Sequence, residues 1–252
     1  MTLAGQHAFV TGGGRGIGRA IAAALARAGA AVTVIGRSEA PLRETVAAGE
    51  AAGCGVADVT DMVEVKRQVT AAQAARGPIA ILINNAGSVE TGPFIKTDPS
   101  VFRTMWNVHL MGAVYATQAV LPGMIERGFG RIVNVASTAG LKGYAYISAY
   151  CAAKHALVGL TRALAAETAA RGDTVNAVCP GYTDTDLVRD SIERVAAKTG
   201  RAQADVLAEY AKDAPIGRLI RPEEVAAAVV YLCSPEAAAV TGTTLAIAGG
   251  EM

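Results

Sequence analysis

Two short stretches of this 252-residue chain carry residue types whose spacing suits chemistry. In "YCAAK", Tyr150 and Lys154 stand at i and i+4 of a predicted helix and so share one face. A phenol titrates near pH 10, and acid/base work near pH 7 asks for a shift of about three units, roughly 4 kcal/mol. A unit positive charge ~4 Å away supplies about 4 kcal/mol at an effective dielectric near 20, so the Lys154 ammonium is large enough for the task. Taken alone, the pair also fits an amphipathic helix with a snorkelling lysine. Ser137, thirteen residues upstream at the end of a predicted buried strand, favours the chemical reading.

The second stretch, "VTGGGRGIG" at residues 10–18, holds five glycines in nine residues between a predicted strand and a predicted helix. That is the context of a dinucleotide-binding loop, although a tight structural turn would also use glycines. In this reading Gly12 makes the sharp turn, Gly16 lets the backbone approach a pyrophosphate, and Gly18 allows close helix–strand packing. The helix start offers free N–H groups and a partial positive charge to phosphates. No Gly-Lys-Ser/Thr follows, which argues against an ATPase-type phosphate loop.

The elements that must position these residues alternate along the chain. Strands are expected at "HAFVTG", "AVTVIG", "GVADV", "IAILINNAG", "GRIVNVAS", "DTVNAVCPG" and "TTLAIAG". Between them lie helical stretches: 16–30, where Ile17, Ile21 and Leu25 recur at i, i+4 and i+8; one opened by Ser38; Asp61 to Arg76; 98–127; about 147–171; about 186–212; and one opening at "RPEEVAAAVVYL". Such alternation predicts an α/β fold, a doubly wound parallel sheet with helices on both faces, as a single domain over 1–252.

With 52% hydrophobic and 18% charged residues and a net charge of +1, the composition is globular and offers no electrostatic footprint for nucleic acid. Cys54, Cys151, Cys179 and Cys233 are far apart and read as reduced packing residues, with no metal site expected. The uncharged run from Thr104 to Ile125 is long enough to span a bilayer, but Asn107, His109, Gln118 and Pro122 within it favour a buried helix pair, and no membrane role is expected. The cytoplasm is the expected compartment.

The glycine loop's T-G-x-x-x-G-x-G spacing, "NNAG" at 84–87, Ser137 in "IVNVAS", "YCAAK" at 150–154 and "PGYTDT" at 180–185 occur in an order that resembles the short-chain dehydrogenase/reductase family, in its compact single-domain, Rossmann-type branch. The resemblance covers essentially the whole chain. It implies hydride transfer between a nicotinamide and a secondary alcohol or ketone. Tyr150 would exchange a proton with the substrate oxygen, Ser137 would hydrogen-bond that oxygen, and Lys154 would also hold the nicotinamide ribose. Asn107 in "WNVHL" matches the family asparagine that holds a water feeding protons to the lysine. Beyond Gly12, Arg15, Gly16, Ile17 and Gly18, the cofactor would meet Asp58 and Val59 at the adenine. Asn85, Ala86 and Gly87 would border its ribose, with Asn84 bracing the turn. Pro180, Gly181, Thr183 and Thr185 would face the nicotinamide side. Asp58 could instead merely cap the helix starting near Asp61.

The second strand ends "VIGRS", with Gly36 where an acid would accept from a ribose 2′-OH; Arg37 there and Arg15 in the loop suit a 2′-phosphate. NADP(H) is therefore favoured, with NAD(H) possible. Residues 186–212 resemble the family's helical substrate lid; Arg189, Arg194, Lys198 and Arg201 there are interspersed with acids and read as a solvated face. Glu90, Tyr144, Tyr146 and Tyr182 could shape a pocket for the small-molecule substrate, and His155 is expected to pack. "SAYCAAKHALVGLTR" looks like 3-hydroxyacid and 3-hydroxyacyl thioester dehydrogenases. The alternatives are a cyclic or aromatic alcohol dehydrogenase and a non-catalytic dinucleotide-sensing protein. A sugar-nucleotide epimerase usually has a longer C-terminal domain. The resemblance also implies a homotetramer through the two long central helices and the C-terminal strand region, and the Ala-rich faces of "MGAVYATQAV" and "ALVGLTRALAAET" would allow that close packing.

Overall fold

The apolar runs form strands because their neighbours cover both faces of one sheet. A computed structural model of the chain describes residues 2–212 and 214–251. Among these, the strands are β1 (His7–Thr11), β2 (Ala31–Gly36), β3 (Gly53–Val56), β4 (Ile79–Asn84), β5 (Gly130–Val135), β6 (Asp173–Pro180) and β7 (Thr244–Ile247). All pair in parallel, in the order β3-β2-β1-β4-β5-β6-β7. The α-helices are α1 (Gly16–Arg27), α2 (Glu39–Ala47), α3 (Met62–Arg76), α4 (Pro99–Trp106), α5 (Gly112–Arg127), α6 (Ser148–Thr168), α7 (Asp186–Thr199), α8 (Gln203–Lys212) and α9 (Pro222–Cys233).

Strand alternation divides the side chains between two cores. Ala8, Val10, Val32 and Val34 pack with Ile21 and Leu25 of α1 and Val225 and Val229 of α9. Phe9 and Ile35 turn the other way, against Val65 and Val69 of α3 and Ala116 and Val120 of α5. Strand order reverses between β1 and β4, so the loops after these strands open onto a crevice at the carboxyl ends of the sheet. The glycine loop and "NNAG" are those two loops.

Three expectations are corrected. The third strand lies earlier than "GVADV": after Val56 the chain leaves the sheet, because the Asp58 carboxylate accepts from Thr60 N and Oγ1 and turns the backbone toward α3. Cys54 does not pack; Gly53 and Gly55 lie under Arg76 and Gln68 of α3, leaving Cys54 exposed on the edge strand, whereas the other three cysteines are buried. The expected helix pair is a continuous run in which a π turn at Asn107–Met111 joins α4 to α5, with Pro122 accommodated inside α5. This run is long and apolar enough to cross a bilayer, yet its inner side packs Met105, His109, Ala113, Ala116, Val120 and Met124 into the protein.

Candidate active site

The dinucleotide-type loop is built by close approach. Gly12 has φ +68°, and a Cβ on Gly18 would stand 2.2 Å from Gly12 O and 2.4 Å from Asn85 Nδ2. Gly18 thus lets the loop fold onto itself and onto Asn85, a tighter constraint than helix–strand packing. No side chain caps the first N–H groups of α1, and no acid stands in its first turn. At α3, by contrast, Asp61 accepts from Val63 N at 2.8 Å and Glu64 N at 3.1 Å. The open end of α1 is suited to an anion.

The brace between the two loops is Asn85, not Asn84. Asn85 Nδ2 donates to Thr11 O at 3.0 Å and Gly12 O at 3.1 Å, while Thr11 Oγ1 accepts from Asn85 N and Ala86 N at 2.9 and 3.0 Å. Asn84 turns inward and donates to Asn134 Oδ1 at 2.8 Å, and Asn134 in turn donates to Thr161 Oγ1. The bracing role of Thr11 is not legible in the sequence, because its partners lie 74 and 75 residues away. Asp58 does not cap α3, since Asp61 does; its carboxylate is taken up by Thr60, and the residue lines the cleft.

A cleft of ≈ 710 Å³ runs over the sheet's carboxyl end. Every residue expected to touch the cofactor lines it: the glycine loop, Arg15 and Arg37, Asp58 and Val59, Asn85 to Gly87, and Pro180, Gly181, Thr183 and Thr185. Ser137, Tyr150 and Lys154 lie in its wall. Ser137 ends the extended segment after β5, on the same cleft wall as the Tyr150 phenol, and its Oγ accepts from Ala139 N at 3.1 Å. Lys154, one turn along α6, donates to Val135 O at 2.7 Å, and its Nζ lies 5.5 Å from the Tyr150 ring centre.

Asn107 does not join them. It is exposed on the π turn, and the buried inward position belongs to His109. His109 packs edge-on to Tyr150, ring centres 5.1 Å apart, and its Nε2 lies 2.7 Å from Ser88 O. A carbonyl only accepts, so the proton is on Nε2 and Nδ1 is a bare acceptor. His109 Nδ1 and Asn84 Oδ1 are buried without a hydrogen-bond partner, and both residues line a cavity of ≈ 10 Å³ that Lys154 also lines. His155 does not pack; it is exposed on α6 with Nδ1 2.9 Å from Cys151 O.

The protein's own electrostatics run against the simple phenol–ammonium arithmetic. Burial pushes Tyr150 up to about 12, against a partial lowering by the Ser137 hydrogen bond. Burial also brings Lys154 down to about 7, and holds His109 well below the usual imidazole range, with the nearby Lys154 charge acting the same way. Both ionised forms lose water in this site, and that loss is the largest influence on each. At neutral pH the phenol therefore holds its proton.

Residues 6–196 match the family model described as short chain dehydrogenase. The chain is 41% identical over 247 residues to 2-(S)-hydroxypropyl-CoM dehydrogenase 3 of Xanthobacter autotrophicus, covering 96% of this chain and 94% of that one. It is 39% identical over 252 residues to an acetoacetyl-CoA reductase of Shinella zoogloeoides, covering 97% of each. A crystal structure of an actinorhodin polyketide ketoreductase variant with NADPH superposes with TM-score 0.94 at 37% identity, over 98% of this chain and 97% of that one. A doubly wound sheet, a glycine cradle at its switch point and a serine–tyrosine–lysine cluster in the same cleft thus agree with whole-length likeness to dehydrogenases and reductases, and the chain belongs to the short chain dehydrogenase family.

Proposed function

We propose that this enzyme reduces a ketone to a secondary alcohol, or the reverse, with NADP(H) preferred, and that its substrate is a 3-oxo or 3-hydroxy acyl compound. The convergence of Ser137, Tyr150 and Lys154 on one wall of the cofactor-sized cleft carries this reading. The acetoacetyl-CoA reductase and the polyketide ketoreductase among its relatives support the acyl class. A bound reduced nicotinamide supplies the hydride. Ser137 O–H holds the carbonyl oxygen, and Tyr150 O–H gives that oxygen its proton as the carbon accepts hydride. Lys154 stabilises the phenolate left behind and orients the ribose. A spectrophotometric screen at 340 nm of acetoacetyl-CoA, short 3-oxoacids and cyclic ketones tests the reaction; turnover of cyclic ketones alone would replace the acyl assignment.

Arg15 and Arg37 are exposed at the cleft end nearest Gly36, open to a 2′-phosphate. Replacing both with Ala is expected to lower kcat/KM for NADPH roughly 10–100-fold, the worth of one or two charge-assisted hydrogen bonds, and to change NADH little. Wild-type preference for NADH would overturn the cofactor assignment.

In this reading His109 takes the place assigned to Asn107. One water in the ≈ 10 Å³ cavity donates to His109 Nδ1 and Asn84 Oδ1 and accepts from Lys154 Nζ, satisfying both bare acceptors. An acceptor beside the ammonium favours its charged form. His109→Phe is therefore expected to lower the Lys154 pKa below about 7, moving the alkaline limb of the kcat profile for reduction about one pH unit to the acid side. An unmoved limb at unchanged cofactor affinity would remove this role.

The rest of the chain fits a single domain in which α7 and α8 form the substrate lid. Supporting this, Leu187, Ser191 and Tyr210 line the cleft, while Ile192, Ala196 and Val206 form a small core of their own. Assembly as a cytoplasmic homotetramer through α5 and α6 completes the proposal, with light scattering after size exclusion as its check.

A further inference from the structure

Beyond β7 the backbone turns back into the molecule. After β7, Gly249 and Gly250 take φ of +60° and +90°, and Glu251 N donates to Ala248 O at 3.2 Å. A Cβ on Gly249 would stand 2.1 Å from Ile216, so only a bare backbone makes this hook. The hook drives the Glu251 side chain into the protein, where it is 2 % exposed. Its carboxylate accepts a short hydrogen bond from the Tyr144 hydroxyl, which also contacts Thr138 Oγ1 at 2.7 Å. Lys142 Nζ lies 3.4 Å from the same carboxylate oxygen and donates to Glu251 O at 3.0 Å. Glu251 Oε2 has no hydrogen-bond partner and lies over Gly181, where a Cβ would stand 2.7 Å away.

This cluster adjoins the reaction site. Thr138 follows Ser137, and Tyr144 lines the same cleft as Ser137 and Tyr150. Tyr144 meets Tyr182 edge-on at 6.5 Å, and Tyr182 stacks on Tyr210 of α8 at 4.5 Å. Three tyrosines from the loop after β5, the loop after β6 and the lid helix thus make one aromatic wall. Of these, Tyr144 has its ring held at the hydroxyl end by a buried carboxylate, which fixes both ring position and tilt. Burial and then the Glu251 hydrogen bond push the Tyr144 phenol above its ordinary value, so it stays a neutral donor to that carboxylate.

We propose that Glu251 is a positioning residue that clamps Tyr144, and that Tyr144 is a specificity-determining wall of the substrate half of the cleft. The proposal rests on the ketone-reductase reading for its kinetic consequences, while the clamp itself is a property of the folded chain. Neither residue moves a proton or hydride. The wall decides how a ketone's substituents sit against Ser137 and Tyr150.

The test uses Glu251→Ala, Tyr144→Phe, their double variant and Glu251→Gln, in the full-length enzyme with NADPH. With acetoacetyl-CoA or a cyclic diketone, each of the first two is expected to raise KM about tenfold with kcat within about twofold. The double variant should be no worse than either single, because both remove one contact. Glu251→Gln keeps an acceptor for the phenol and should restore KM to within about threefold of wild type. Amide hydrogen exchange over residues 138–146, which needs no substrate, should quicken in Glu251→Ala and not in Glu251→Gln. Unchanged exchange, effects that multiply in the double variant, or an unchanged KM beside faster exchange would each overturn the proposal. If wild type reduces neither ketone, the reading of the reaction has failed, and the exchange result alone decides the clamp.

Discussion

Tyr150→Phe is expected to lower kcat/KM for ketone reduction about 10³-fold while leaving NADPH affinity within about twofold. The substitution removes one oxygen. The ring keeps its edge-on contact with His109 at 5.1 Å and its packing against Met105, Ala149 and Ala153, so the fold has little reason to change. What disappears is the O–H, the proton donor, which burial pushes up to about 12 from the ordinary phenol range. An alkoxide forming beside Ser137 then takes its proton from water, and the remaining rate reflects positioning and the Ser137 hydrogen bond alone. Fluorescence titration of NADPH together with turnover at 340 nm separates binding from chemistry. Near-normal turnover would exclude Tyr150 as the proton donor.

Gly18→Ala should act at the other end of the cleft and abolish dinucleotide binding in practice, raising the NADPH Kd by at least about 100-fold with a stability loss of about 1–3 kcal/mol. The new methyl would fall 2.2 Å from Gly12 O and 2.4 Å from Asn85 Nδ2. The first of these is backbone. The second is held by its bonds to Thr11 O and Gly12 O, so neither can swing aside as a surface side chain would. Relief requires the loop to lift from β4, and that loop sets the N–H groups at the start of α1. NADPH titration and urea unfolding measure the two effects, and wild-type affinity in Gly18→Ala would show that the cradle is not where the phosphates bind.

Local signals carried much of this molecule. Strand–helix alternation, glycines between β1 and α1, and the Tyr150–Lys154 spacing each depend on residues within a turn or two of one another. They placed the glycine loop and the Tyr150–Lys154 pair at one cleft, because the parallel sheet delivers every strand's carboxyl end to the same edge, whereas the other residues lining it were implied by the family resemblance. The strand that shifted, β3, is short and lies at the sheet edge, where one covering face leaves the apolar pattern weak.

Tertiary structure decided what depends on phase and on distant partners. The π turn at Asn107–Met111 inserts an extra residue per turn, which rotates Asn107 outward and brings His109 to face Tyr150 and Lys154. The bracing role of Asn85 and the inward turn of Asn84 follow from partners 50 to 74 residues away, and the Glu251–Tyr144 contact joins positions 107 apart. The acid–base balance is likewise a property of the packed site: the same phenol and ammonium that attract each other as charges are each driven toward neutrality once the fold removes their water. Residue types and spacing thus determined which groups this enzyme has for chemistry, while burial and long-range packing decided which of them meet and in what protonation state, since desolvation and contact exist only after distant segments have come together.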